Sequence, residues 1–401
     1  MKKGTVFLLF SLFFIQFSTA QVEVTTVTDE FPGSGGVKYG PDGNVYVGNY
    51  GDALSNSNGT QIWRWKPDGT LELFATGLQG ASGNTFVSTG DFFQSNINGG
   101  YISQVSPQGV VSTFVTDGIA CPVGIVADPA DNLYVCNCCG TGDNMIRKIT
   151  PAGVSTPFAG GTLFKCPNGI TIDPDQNLYV SNFNDGRVLK ITPAGSVSVF
   201  AEIPGGNNGH LTYSPADSSL YVASHGSSNL YKVNMDQEIT LVAGNGIRGN
   251  ADGPAFQATF SRPNGMALSS TGDTLWVNSS IPVSNVGLPL NPSVLRMVTG
   301  LQGLTSAVQD KIMPELSALA IFPNPSTGDI RVNFELQSAM PVEWRLYDPL
   351  GRLVEQGKPT DFQAGVHTLL INLESHPAGL YEFGLWTNTS VVSRKLYLDN
   401  D

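Results

Sequence analysis

Residues 121–137 read C-P-V-G-I-V-A-D-P-A-D-N-L-Y-V-C-N, and 45 residues later residues 166–182 read C-P-N-G-I-T-I-D-P-D-Q-N-L-Y-V-S-N. Weaker copies place equivalent glycines at Gly36, Gly83, Gly124, Gly169, Gly209 and Gly265, spaced 40 to 56 residues apart. Periods of this length belong to repeat architectures, in which a unit too small to bury its own faces buries them against its neighbours. Six copies predict six such units.

Within each copy an apolar strand meets a turn rich in Pro, Asp, Gly and Asn, and a β-branched or aromatic strand such as Leu178, Tyr179, Val180 follows. Two further strands follow, joined by short turns such as Pro67-Asp68-Gly69 and Pro193-Ala194-Gly195. The 46 Gly and 25 Pro spread over 401 residues are the supply of such turns. Four strands in roughly 45 residues is the geometry of a propeller blade, so the expected fold is all-β, a six-bladed β-propeller. The last copy offers only three strands, and residues 22–27 form an unassigned strand at the other end of the propeller segment. The expectation is that this N-terminal strand closes the ring as the outer strand of the sixth blade, hiding edges that an open array would expose.

The N-terminus has Lys2 and Lys3, a 12-residue apolar run from Val6 to Phe17, and Ser18, Thr19 and Ala20. This is the pattern of a cleaved signal peptide over residues 1–20, with mature protein starting at Gln21. The run is short of the roughly 20 residues a spanning helix needs, and no later segment reaches that length. The expected organisation continues with the propeller over 21–304, a linker over 305–316 and a second domain over 317–401. A net charge of −12 without any basic stripe argues against a nucleic-acid partner.

The run P-N-G-I-T-I-D-P-D-Q-N-L-Y-V-S-N resembles an NHL repeat, and the segment from Gly244-Asn245-Gly246 through Pro263-Asn264-Gly265 is similar to a variant of it. Propellers of this kind include scaffold and ligand-binding proteins as well as the gluconolactonase/regucalcin enzymes. The last 80 residues carry A-I-F-P-N-P-S-T-G-D-I-R-V, W-R-L-Y-D-P-L-G-R-L-V, L-E-S-H-P-A-G-L-Y-E-F-G-L and R-K-L-Y-L, in that order. This series resembles the type A C-terminal sorting domain of type IX secretion, a small Ig-like β-sandwich. The resemblance implies passage through the periplasm of a Gram-negative, Bacteroidetes-like cell and recognition by the type IX machinery. It further implies loss of the domain near the linker, then release or attachment at the outer surface.

If the first strand of each blade is innermost, all the long connections, residues 50–60, 244–262 and 280–291, fall on one face, over blades five, six and one. That face is the expected ligand face. Around its central channel, Asn168, Asn208 and Asn264 stand beside the glycines that open inner strands. Their carboxamides could orient a sugar-like ligand or coordinate calcium, and Pro-Asn-Gly is equally good turn chemistry. His210 opens an inner strand and His225 follows its partner, so the two imidazoles are expected to approach each other as polar lining, as a general base or as a metal pair. The resemblance to gluconolactonases would require a glutamate in the stretch Gly33-Ser34-Gly35-Gly36, which has none, and an aspartate where Asn264 stands. Cys121, Cys136, Cys138, Cys139 and Cys166 map to the same face over blades three and four. Disulfides stapling the loops are the expected use, with a soft-metal site as the alternative. These features favour an exported binding module for an extracellular carbohydrate, peptide or protein. The rivals are a lactonase-type hydrolase or propeller lyase using Asn168, Asn264 and the two histidines, and a structural surface repeat.

Overall fold

Short strands separated by Asp-centred turns give four-stranded antiparallel sheets, each with its strands in sequence order. The computed structural model describes residues 22–138, 144–282, 289–301, 316–324, 326–336, 338–348, 352–387 and 391–399. The expected signal peptide, the cleavage point at Gln21 and most of the expected linker lie outside these residues. Blade 1 runs from Val37–Tyr39 to Leu71–Thr76, blade 2 from Ala81–Phe86 to Val111–Val115 and blade 3 from Pro122–Ala127 to Ser155–Gly160. Blade 4 runs from Pro167–Ile172 to Val197–Glu202 and blade 5 from Asn208–Ser214 to Ile239–Ala243.

In blades 1, 3, 4 and 5 an aspartate in the turn between the first two strands bonds the tyrosine that follows. In blade 4, Asp173 accepts hydrogen bonds from the Asn177 backbone N–H (2.8 Å), the Asn177 side chain (2.9 Å) and the Tyr179 hydroxyl (3.2 Å). Asp42 with Tyr46 and Asp217 with Tyr221 repeat the tyrosine contact at 2.8 and 3.1 Å. The turn and the second strand are thereby locked together, which is the physical content of the D-x-x-x-N-L-Y pattern.

Blade 6 is closed as the sequence predicts. Its sheet order is Gly253–Pro254, Glu23–Thr26, Ser293–Thr299, Leu275–Ser280, Met266–Leu268, with Glu23 opposite Thr299 and Val24 opposite Val298. Val24, Val277 and Val298 are fully buried in the resulting core. The fully buried Arg296 donates to Thr259 O and Ala251 O, each at 2.9 Å, and pairs with Asp252 at 2.9 Å. Asp252 also receives the Thr26 N–H and hydroxyl. One arginine thus ties the 244–262 connection to the closing strand.

The six repeat glycines form the inner ring of the propeller. A Cβ at Gly36 would lie 2.9 Å from Gly83 Cα, at Gly83 2.9 Å from Gly124 Cα, and at Gly124 3.1 Å from the Gly169 carbonyl carbon. Continuing round, the distances are 2.5 Å from Gly169 to His210 Cα, 2.9 Å from Gly209 to Asn264 Cα and 2.9 Å from Gly265 to the Gly36 carbonyl carbon. Neighbouring inner strands meet backbone to backbone at this level, and only glycine leaves room for that approach.

The C-terminal segment forms two packed sheets. One contains Leu316–Phe322, Asp329–Leu336 and Gly365–Asn372. The other orders Leu353–Gln356, Met340–Tyr347, Gly379–Trp386 and Val391–Leu398. Asp329–Leu336 alternates exposed and buried positions, sending Ile330, Val332, Phe334 and Leu336 into the core against Leu346, Phe383 and Leu396. This sandwich rests on the propeller. Arg345 donates to Asn245 O at 3.0 Å, the Tyr347 hydroxyl reaches the same carbonyl at 3.3 Å, and Tyr347 and Trp386 join the apolar cluster of Tyr231 and Leu241.

Candidate functional site

Strand order places the long connections on one face, and the structure ties them to each other. The Leu290 N–H donates to Asp52 O at 2.8 Å, and Ala53 bridges Pro289. The Asn291 amide donates to Asn49 Oδ1 and Gly51 O, both at 2.9 Å, and the Asn250 amide donates to Ser280 O at 2.9 Å. The described parts of these loops are thereby held in place, the condition for binding by preorganised contacts.

Within that surface three cationic or ionisable side chains gather. His225 is 7 % exposed and sets its ring edge-on to Phe183 at 5.4 Å. Burial, followed by the charges of Arg262 and Arg248, lowers its pKa to about 3, so its imidazole is neutral, and its Nδ1 has no hydrogen-bond partner. Arg262 is 6 % exposed, reaches Pro289 O at 3.4 Å, and is lowered to about 10 by burial and by Arg248. Among the described residues no carboxylate is paired with either arginine.

Arg262 was not singled out in the sequence, although its position carries a signal. It heads R-P-N-G where blades 3 and 4 read C-P-V-G and C-P-N-G, and all three leading residues are left-handed, with φ of 52° at Arg262, 45° at Cys121 and 57° at Cys166. A non-glycine residue held in that region ahead of proline costs of order 1–3 kcal/mol unless its surroundings fix it. In blades 3, 4 and 6 the repeat therefore directs one side chain toward this face, where blades 1, 2 and 5 have Gly33, Gly80 and Gly206, and in blade 6 that side chain is a guanidinium.

The asparagines singled out in the sequence act between blades. Asn168 donates to Asn208 O at 2.9 Å, Asn264 to Ser34 O at 2.9 Å and Asn208 to Gly186 O at 2.7 Å. Asn168 and Asn264, considered as calcium ligands, thus turn their amide nitrogens onto carbonyls of the next blade. Among the described residues no group of three or more His, Cys, Asp or Glu is placed to hold a metal ion.

The two histidines have separate surroundings. His210 is 8 % exposed and points across the axis, with Cε1 3.3 Å from where a Gly36 Cβ would be, and it lines the axial cavity; His225 does not line that cavity. His210 stands on the inner strand within the bulge between Asn208 and Leu211, and His225 follows the end of strand Ser219–Ser224.

Cys138 and Cys166 form a disulfide from the middle loop of blade 3 to the start of blade 4, with Cα atoms 4.4 Å apart. Cys121 and Cys136 are free thiols, and Cys139 lies outside the described residues. Cys136 corrects the placement of all five on the loop face. It sits within strand Leu133–Asn137, fully buried, and burial raises its pKa.

The C-terminal sandwich is the part of the chain that a sequence family accounts for. Residues 320–399 match the family described as secretion system C-terminal sorting domain. This segment is a sorting domain. The sorting domain marks the chain for export by type IX secretion, to the medium or the cell surface. No curated protein matches the chain by sequence. Ahead of the sorting domain, the propeller is similar in fold to an auxiliary nutrient binding protein from Bacteroides thetaiotaomicron, with TM-score 0.53 and 13 % identity over 69 % of this chain and 76 % of that one. It is similar also to a gluconolactonase from Xanthomonas campestris, with TM-score 0.52 and 14 % identity over 69 % of this chain and 89 % of that one. A Bacteroides thetaiotaomicron protein of unknown function gives TM-score 0.54 and 15 % identity over 69 % and 76 %. At these identities the likeness is one of fold.

Proposed function

We propose that the exported propeller is a binding module whose extracellular partner docks on the long-loop face and carries negative charge there. The observation behind this reading is the pair Arg248 and Arg262 beside the neutral, unpartnered His225, on loops fixed to one another, without a carboxylate partner among the described residues. In a chain of net charge −12, two neighbouring guanidinium groups that repel each other are most readily stabilised by an incoming anion. A carboxylate or sulfate on a glycan, or an acidic peptide side chain, has that chemistry, and Phe183 beside His225 offers it an apolar edge.

The test is retention of the full chain on immobilised polygalacturonate, polyglutamate and neutral dextran. The expected result is retention on one of the acidic polymers and none on dextran, reduced about tenfold or more in Arg262→Gln, since a lost charge-assisted hydrogen bond is worth roughly 1.5–3 kcal/mol. Equal retention of the Arg262→Gln protein would remove the basis of the reading.

A further inference from the structure

The six inner strands enclose an axial cavity of about 420 Å³ whose mouth lies among the first turns of the blades, at Pro41, Gly43 and Ser270, on the face opposite the long loops. Each inner strand is hydrogen-bonded to its own blade along one edge only, so the other edge turns peptide groups toward the axis. Apolar side chains such as Ile125, Ile170 and Met266 share the wall. No Asp or Glu lines the cavity, in a chain with 33 of them.

Three polar side chains, Lys38, Asn84 and His210, belong to the wall of this cavity. His210 is 8 % exposed and its Nε2 has no partner. Asn84 is 6 % exposed; its amide donates to Gly36 O at 3.1 Å and weakly to Gln94 Oε1 at 3.4 Å, while its Oδ1 has no partner. Lys38 lines the same wall, and its pKa is lowered by burial with no neighbouring charge to offset it. Asn84 Oδ1 and His210 Nε2 are both shut off from solvent, so of the three side chains it is Lys38 that offers a polar group to the cavity.

We infer that the axial cavity is a second binding site, which takes a small organic carboxylate. The carboxylate pairs with Lys38, the cation in a wall without acidic residues. An anion beside Lys38 offsets the cost of holding an ammonium away from water. The hydrocarbon part of the ligand packs on the apolar wall, and the volume accommodates a molecule the size of a small aromatic acid. This inference stands apart from the loop-face reading, since it uses other residues at the opposite end of the axis.

The test is ligand-observed NMR and calorimetry on the full chain with lactate and mandelate as probes, each beside its neutral amide. The expected result is that at least one acid binds, that its amide binds about tenfold or more weakly, as befits a lost charged contact, and that Lys38→Met removes the difference. Ser270→Trp, on an exposed turn at the mouth, provides a variant that leaves the buried wall untouched and is expected to block binding, whereas Arg262→Gln leaves it unchanged. Failure of both acids to bind, equal binding of acid and amide, or binding that survives Ser270→Trp would each overturn the assignment.

Discussion

His210 and His225 belong to the same blade, and each is buried without a counter-charge. Burial lowers His210 to about 4 and, with the two arginines, lowers His225 to about 3, against an ordinary value of 6.5. The unfolded chain therefore binds protons first as the pH falls below about 6.5, while the folded chain does not until much lower. The stability tied to these two groups is fully present above about pH 6.5 and is lost as the pH falls toward 4. The urea midpoint of the full chain is accordingly expected to drop between pH 7 and pH 5, and a His210→Gln, His225→Gln double variant is expected to show a flatter dependence over that interval. An identical slope in the double variant would assign the acid sensitivity elsewhere. Nothing in the sequence distinguishes these imidazoles from exposed ones, because their burial comes from a bulge in one strand and from a loop contributed by another blade.

Single strands and connections show how pattern and geometry divide the work. The blades and their turns were legible because each depends on a local pattern, β-branched runs, an aspartate ahead of a tyrosine and glycine at a fixed place, and the closing strand because the last copy lacks one strand. The roles of Asn168, Asn208 and Asn264 were not, since a carboxamide next to glycine looks the same whether it faces a ligand or the carbonyl of the next blade. Arg296 was equally silent, being one charged residue in an otherwise apolar strand. Its guanidinium carries two backbone carbonyls and Asp252, and Phe260 packs over it at 4.9 Å. Arg296→Met keeps most of the volume but leaves those carbonyls unpaired, a loss of roughly 3 kcal/mol on the scale of buried charged hydrogen bonds. The expected signs are a lowered urea midpoint and early proteolytic cutting within residues 244–262, with the remaining blades protected.

At the scale of the molecule, two domains with different tasks share one chain, and the sorting domain is seated on blade 5 through Arg345, Tyr347 and Trp386. The propeller is held by contacts that run round the ring, so its stability depends on closure. Removing residues 22–27 deletes the outer main strand of blade 6 and exposes the edge of Ser293–Thr299. The shortened protein is expected to self-associate by light scattering and to lose its single sharp unfolding transition, whereas an equally long deletion inside residues 50–60 is expected to leave both unchanged.

The pairing of Glu23 with Thr299 also sets a timetable for synthesis. The first strand of the propeller to leave the ribosome waits for the last, Ser293–Thr299, before its main partner exists. Until then five sheets have nothing to complete their circle. A clasp made from the two ends of one domain therefore works as a check on completeness: a chain cut short at any blade has no means of shutting.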